Sequence, residues 1–330
     1  MRSDPAEAPA CLALVGPTAS GKTALSLALA EAIGGEVVSM DSRQVYRGMD
    51  IGTAKATPAD RARVPHHGLD LVEPGERYSA GRFGRDARGR IAAIRGRDRV
   101  PILVGGTGFF LRAILEPIFA EPELDAVRVE RLRAWLRRLP RERLADGVRA
   151  LDPARAALAE QGGPQRMSRT LEVALLSGRP LSEWHRTAPA DGAPVRGVVV
   201  RLDLPREEMD RRIDARVGRM VEAGLVGEVR GLLERGVSSA APGMTATGYR
   251  EIVAHLRGER TLEEAVDDIR SGTRRYARRQ LTWLRNQLPE GTRVVDATAS
   301  LEEQVRDTVR AWREAGGGGP WDRLQTEVNG

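Results

Sequence analysis

Residues 16 to 23 read Gly16-Pro17-Thr18-Ala19-Ser20-Gly21-Lys22-Thr23, the spacing G-x-x-x-x-G-K-T. A loop of this kind grips a chain of phosphates. Gly16 and Gly21 let backbone N–H groups converge on an anion, Lys22 adds a compact positive charge, and the Thr23 hydroxyl can ligate Mg²⁺. The loop announces a bound di- or triphosphate and leaves open what becomes of it. A second cluster, Asp41-Ser42-Arg43-Gln44, offers a carboxylate with two chemical roles. Asp41 can support a magnesium ion, as in an NTPase, or take a proton from an acceptor nucleophile as a general base; a turn-forming Asp is the plain alternative. The third cluster is Gly105-Gly106-Thr107-Gly108. Its glycines admit a ligand closely and the Thr107 hydroxyl can hydrogen-bond a reacting group, although a tight turn also explains it.

Each cluster follows a short apolar run that must position it. Residues 12–15 read as a buried strand and 24–33 as the helix behind the phosphate loop; 36–40 and 100–104 read as strands ending at Asp41 and at the glycine turn, and 197–202 as a fourth. In an open parallel sheet, ligands bind beyond the carboxyl ends of the strands, so the three clusters are expected around one crevice. Alternation of strands with helical segments predicts an α/β fold, a P-loop NTPase-like parallel sheet flanked by helices. The third strand ends in glycine where a Walker-B strand would end in an acid, which counts against routine ATP hydrolysis.

Strand signals vanish between Glu121 and Trp184, where Leu132, Leu136 and Leu139 recur at helical spacing with Arg131, Arg133, Arg137 and Arg138 between them. This predicts an inserted all-helical subdomain over 121–185, with the α/β core in 11–120 and 186–315 and flexible ends at 1–10 and 316–330. The arginines of the insertion read either as a solvated helix face or as a grip on an RNA stem-loop. Farther on, Met209, Ile213, Val217 and Met220 form an apolar stripe read as ordinary core, with Arg211, Arg212, Arg216 and Arg219 off it. Over 271–286, Arg274, Arg275, Arg278, Arg279 and Arg285 occur with Tyr276 and Trp283 and no acid. Arginine planes and aromatic rings suit unstacked RNA bases and their phosphates; buried aromatics beside solvated charges are the simpler reading.

Composition narrows the classes. The 330-residue length fits one large domain or two moderate ones, and a net charge of +6 makes a polyanionic partner plausible. All but two of the 52 basic residues are arginine, so the retention of Lys22 inside the phosphate loop points to a position that needs an ammonium. No apolar run approaches the roughly 20 residues of a membrane helix and no signal peptide is evident, so a cytoplasmic protein without membrane contact is expected. With Cys11 the sole cysteine, an internal disulfide and a cysteine-based zinc site are excluded. His66-His67 lack an accompanying ligand set, which favours a structural or substrate-lining role.

Taken in order, GPTASGKT at 16–23, SMDSRQVYRGMDIGTAK at 39–55, VPHHGLD at 64–70, PILVGGTG at 101–108, QRMSRTLEV at 165–173, GYRE at 248–251 and TRRYARRQLTWLRN at 273–286 resemble the bacterial tRNA dimethylallyltransferase (tRNA isopentenyltransferase) family over roughly 11–290. The resemblance implies transfer of a dimethylallyl group from dimethylallyl diphosphate to N6 of the adenosine beside the anticodon (A37) of tRNA, with Mg²⁺ as cofactor, in a monomeric enzyme. It places the prenyl diphosphate on residues 16–23, with Lys22 catalytic and Thr23 on the metal, and makes Asp41 the base on N6–H and Thr107 a holder of the adenosine. Contacts to the anticodon stem-loop fall to Ser42, Arg43, Gln44, Arg128, Gln165, Arg166, Met167, Ser168, Arg169, Gly248, Tyr249, Arg250 and Arg278, besides Asp41 and Thr107. Departures are Phe109-Phe110, where Leu-Tyr is usual; Gly162-Gly163-Pro164, which lack the customary Asn and Asp; and Thr247 in place of a more apolar residue. Competing readings are a P-loop kinase or NTPase acting on a nucleotide or nucleic acid, a prenyltransferase acting on free AMP, and an RNA-binding protein with a degenerate P-loop.

Overall fold

The computed structural model describes residues 9–120 and 122–319. Of the flexible ends expected at 1–10 and 316–330, residues 1–8 and 320–330 lie outside the described residues; in the remainder, Ala10 N donates to Arg196 O at 2.8 Å and Trp312 Nε1 donates to Gly318 O at 3.2 Å. The chain forms two compact units, one made of residues up to Glu116 and from Pro194 onward, the other of Pro117–Ala193.

The first unit is built on six parallel strands, β1 (Cys11–Val15), β2 (Gly35–Ser39), β3 (His66–His67), β4 (Val100–Gly105), β5 (Gly197–Asp203) and β6 (Arg293–Asp296), in the order β3-β2-β4-β1-β5-β6. Central β1 is covered on both faces, which is why it can be Cys-Leu-Ala-Leu-Val with every residue buried instead of alternating apolar and polar. The short edge strands β3 and β6 carried no sequence signal: one is two residues long, and the other leaves Val294 56% exposed.

Helices α1 (Lys22–Ile33), α2 (Pro58–Arg63) and α3 (Ala80–Arg95) connect the first four strands, and α4 (Gly108–Leu115) follows β4. The second unit contains α5 (Ala126–Leu136), α6 (Arg141–Leu151), α7 (Ala156–Gln161), α8 (Gly163–Ser177) and α9 (Leu181–Thr187). The first unit resumes with α10 (Arg206–Glu222), α11 (Leu225–Glu234), α12 (Tyr249–Leu256), α13 (Leu262–Gln287) and α14 (Leu301–Glu314). The starts of α2, α13 and α14 are fixed by capping boxes, Thr57 with Asp60, Thr261 with Glu264 and Ser300 with Glu303. The main core runs from Leu12, Leu14, Ile102 and Leu103 of the sheet to the stacked rings of Phe83 and Phe110, 4.0 Å apart. Phe110 is thus a core residue.

The helical unit has its own core of Leu136, Leu144, Val148, Met167 and Leu171, with Leu132 and Leu139 packed against it. α5 ends at Leu136, short of Leu139, because Pro140 follows and disfavours helix in the residue before it. Arg133 and Arg169 both bond to Glu172, a carboxylate only 2% exposed. Arg133, which reads from sequence as solvated or RNA-facing, therefore spends its charge inside this unit. Among the described residues, no helix is long and apolar enough to cross a membrane.

Candidate active site

Parallel register brings the three sequence clusters to one edge. Val15 pairs with Gly105, and Ser39 with Val104, so the chain leaves β1, β4 and β2 side by side. The phosphate loop then turns through Ala19 and Gly21, both with positive φ, and enters α1 with Gly21 at its N-cap. Lys22 Nζ donates to Gly16 O at 3.0 Å, Pro17 O at 2.6 Å and Ser20 Oγ at 3.3 Å. Burial pushes the Lys22 ammonium down to about 7, Arg216 pushes the same way and Asp41 opposes.

Gly106 lies directly against the phosphate loop: a Cβ there would meet Gly16 O at 2.9 Å and Gln280 Nε2 at 2.2 Å. Gln280, from α13, clasps both loops. Its Oε1 accepts from Thr18 N at 2.9 Å and its Nε2 donates to Gly106 O at 3.0 Å.

Asp41 forms an Asx turn, its Oδ1 accepting from Arg43 N at 2.8 Å. The turn and the chemical roles therefore coexist. Its charge also reaches Lys22, Arg216 and Tyr276. Thr107 Oγ1 accepts from Ser42 N at 3.3 Å and is hydrogen-bonded to the Tyr276 side chain. Burial, then Asp41, pushes the Tyr276 phenol up to about 12, so it remains protonated at neutral pH.

Two cavities meet here. The first, of about 500 Å³, holds Thr18–Thr23, Asp41 and Gly106, and receives Arg211, Arg212, Arg216 and Arg219 from α10. The second, of about 490 Å³, is walled by Arg43, Gly52, Thr53, Thr245–Gly248, Arg250, Arg275 and Arg279. Thr18, Asp41, Arg216 and Tyr276 line both. The first cavity thus combines a helix N-terminus with five cationic side chains and the single carboxylate of Asp41, a field suited to a polyanion. Arg216 is deeply set: burial lowers its pKa, with Asp41 acting against that.

Around the second cavity, Glu228 of α11 accepts from Asp50 N and Ile51 N at 2.8 Å, Gly52 N at 3.1 Å and Tyr249 Oη at 2.6 Å. Gln44 is used similarly: its Oε1 accepts from Ser39 Oγ, and its Nε2 donates to Thr53 O and Ala54 O. Lys55, with its side chain 1% exposed, donates to Tyr46 O, Asp50 Oδ1 and Asp70 Oδ1.

The structure therefore gathers Thr18–Thr23, Asp41, Arg43, Gln44, Gly248 and Arg250 onto the cavity walls and sets Ser42 and Thr107 against each other beside them. Tyr249 turns into the core toward Glu228, and Arg278 pairs with Asp210 at 3.4 Å. Arg128, Gln165, Arg166, Met167, Ser168 and Arg169 belong to the helical unit; Gln165 and Arg166 are exposed there and Met167 is part of its core. His66 lines the first cavity, while His67 Nε2 lies 2.7 Å from Glu36 Oε2. Sequence reasoning singled out Tyr276 but missed the roles of Arg211, Arg212, Arg216, Arg219 and Gln280 in this wall. The usable clue was that four arginines fall within nine residues of one helix, off its apolar stripe.

Family models match the chain as "IPP transferase" over residues 44–287 and "Isopentenyl transferase" over 9–64. The tRNA dimethylallyltransferase of Thermomicrobium roseum is 49% identical over 280 residues, 83% of each chain. That of Halorhodospira halophila is 46% identical over 308 residues, covering 90% of this chain and 96% of its own. Among solved structures, the tRNA isopentenylpyrophosphate transferase of Bacillus halodurans superposes with a TM-score of 0.66 at 35% identity, over 94% of this chain and 98% of that one. A eukaryotic dimethylallyltransferase acting on tRNA has a TM-score of 0.75 at 24% identity, over 91% and 77%, and supports the fold.

Proposed function

Because this chain belongs to the tRNA dimethylallyltransferase family, we propose that it moves a dimethylallyl group from dimethylallyl diphosphate to N6 of the adenosine beside the anticodon (A37) of tRNA, and that its two cavities divide the substrates. The diphosphate occupies the cationic cavity over residues 16–23; the adenine enters the second cavity. One observation carries this reading: the two cavities meet at Asp41, the one carboxylate common to both.

In the reaction the allylic C–O bond breaks, its electron pair leaves with the diphosphate, and the N6 lone pair forms the new C–N bond. The N6 proton passes to Asp41. Its Oδ1 is engaged by Arg43 N, so Oδ2 is the oxygen that takes the proton. Lys22 and Arg216 stabilise the departing charge; one preorganised donor contributes about 3 kcal/mol to such a step. Tyr276 and Thr107 hold the acceptor edge where the cavities join. Positioning two substrates is worth about 7–11 kcal/mol, against about 3–5 kcal/mol for general base catalysis, so holding the two substrates together matters more than proton removal.

The Thr23 hydroxyl on the wall of the first cavity fits Mg²⁺ arriving with substrate phosphates and does not make a protein-only cage. Bound there, Mg²⁺ would neutralise charge on the diphosphate. Among the described residues no cluster of three His, Cys, Asp or Glu side chains could hold a metal. Arg43, Gly248 and Arg250 at the acceptor cavity, together with Ser42, and Arg128, Gln165, Arg166, Ser168 and Arg169 on the helical unit, are the proposed contacts to the anticodon stem-loop.

The test is incubation of the protein and its Lys22→Ala variant with labelled dimethylallyl diphosphate and unmodified tRNA, in parallel with ATP. Label is expected in the RNA with the wild-type protein and lost with Lys22→Ala. Phosphate release from ATP with no label in RNA would overturn the reading in favour of a kinase or NTPase.

A further inference from the structure

Phe109 has no role in the chemistry above, yet it presents an aromatic ring to solvent beside the site. It is 60% exposed on the first turn of α4, two residues after Thr107. Burying such a ring is favourable, so its exposure calls for a partner. The ring is backed by Trp283 of α13, 6.5 Å away and inclined at 39°. Trp283 is itself fixed, because its indole fills the space over Gly108, where a Cβ would come within 2.1 Å of it. The platform is therefore rigid on one side and open on the other.

Its surroundings favour one kind of partner. Along α13, Arg275, Arg279 and Trp283 follow one another at four-residue spacing, which places them on one face of the helix. Arg275 and Arg279 line the acceptor cavity, with Arg279 lying over the Tyr276 ring at 5.8 Å. No acidic residue occurs from Ser271 to Asn286. Cation, cation and aromatic therefore follow one another along this face of α13 with no acid among them, as a single-stranded polyanion with stackable bases requires.

We infer that Phe109, supported by Trp283, is a stacking platform for a base of the tRNA loop neighbouring the one that enters the acceptor cavity. An adenine that leaves the loop stack deprives its neighbour of a stacking face, and an exposed ring beside the cavity mouth supplies another. The inference rests on the acceptor being tRNA, as proposed above.

The test compares Phe109→Ala, Phe109→Leu and Phe109→Trp in the full-length protein, by initial rates of label transfer from dimethylallyl diphosphate over a range of tRNA and salt concentrations. Phe109→Ala is expected to raise KM for tRNA about 5- to 150-fold, the range for loss of one base–aromatic stack. KM for dimethylallyl diphosphate should not move, and the salt dependence of tRNA binding should keep its slope, because no phosphate contact is lost. Phe109→Trp should match the wild-type protein, and Phe109→Leu, with bulk but no π face, should fall well short of it. A KM for tRNA within twofold of wild type in Phe109→Ala, as expected of a docking site for another protein, would overturn the platform. So would full recovery with Phe109→Leu or a changed salt slope. If the wild-type protein itself transfers no label to tRNA, the proposed function fails instead, whatever Phe109 does.

Discussion

Replacing Gln280 with alanine removes a side chain that holds two catalytic loops together. The residue is 7% exposed, and its amide satisfies Thr18 N at 2.9 Å and Gly106 O at 3.0 Å. Alanine reaches neither, leaving the buried Gly106 carbonyl unpaired, at about 1–3 kcal/mol, and the half-buried Thr18 N–H, on the cavity wall, to find water. Unfolding free energy in urea is therefore expected to fall by about 1–3 kcal/mol, and by more if the void left behind does not close. Function should fall as well, since loops that drift by about 1 Å lose on the order of 10²-fold in rate. Gln280→Glu separates the two contacts. Its carboxylate keeps an acceptor for Thr18 N but faces the Gly106 carbonyl without a proton to donate. Single-turnover rates of Gln280→Glu should thus rise as pH is lowered and the carboxyl becomes a donor again, whereas Gln280→Ala should stay low at every pH. An alanine variant within about 0.5 kcal/mol of wild type in urea, with a normal single-turnover rate, would show that the sheet alone fixes the loops and refute the argument.

Asp41→Asn should lower the single-turnover rate about 10²- to 10⁴-fold while leaving tRNA affinity within a few-fold by filter binding; an unchanged rate at saturation removes Asp41 from the base role. Glu36 gives a pH dependence of stability. It is 5% exposed; burial alone would raise its pKa, but Arg97 and His67 more than offset that and hold the carboxyl below its ordinary value. A carboxylate depressed on folding contributes stability that is complete above the unfolded value near 4.5 and is lost as pH falls through the lower folded one. Urea unfolding between pH 3 and 7 should accordingly show less acid sensitivity in Glu36→Gln than in the wild-type protein, and equal sensitivity would remove this pair from the account.

What could be read from sequence was local. The phosphate loop, the strands leading to Asp41 and to Thr107, and the helical insertion each declare themselves within ten or so residues, by glycine spacing or hydrophobic period. The missing parts of the site arrive from far along the chain: Gln280 reaches Thr18 across 262 residues. Arg216 looks in sequence like any arginine beside an apolar stripe, and only the packing of α10 against α13 brings it to the cavity. Gln44 and Tyr249 sit in motifs that suggest ligand contact, and their polar side-chain atoms are engaged by Ser39, Thr53, Ala54 and Glu228, so the fold also uses them to shape the wall.

The Glu228 carboxylate, with its three amide donors and one phenol, has a mechanical corollary. Gly52 and Gly248 both line the acceptor cavity; Gly52 N donates to that carboxylate, and Gly248 adjoins Tyr249, whose hydroxyl also donates to it. The segment around Gly52, α11 and the start of α12 consequently travel as one plate. Whatever breathing lets a nucleoside in must hinge elsewhere, and the amides of Asp50, Ile51 and Gly52 should be among the slowest loop amides in the molecule to exchange with deuterium.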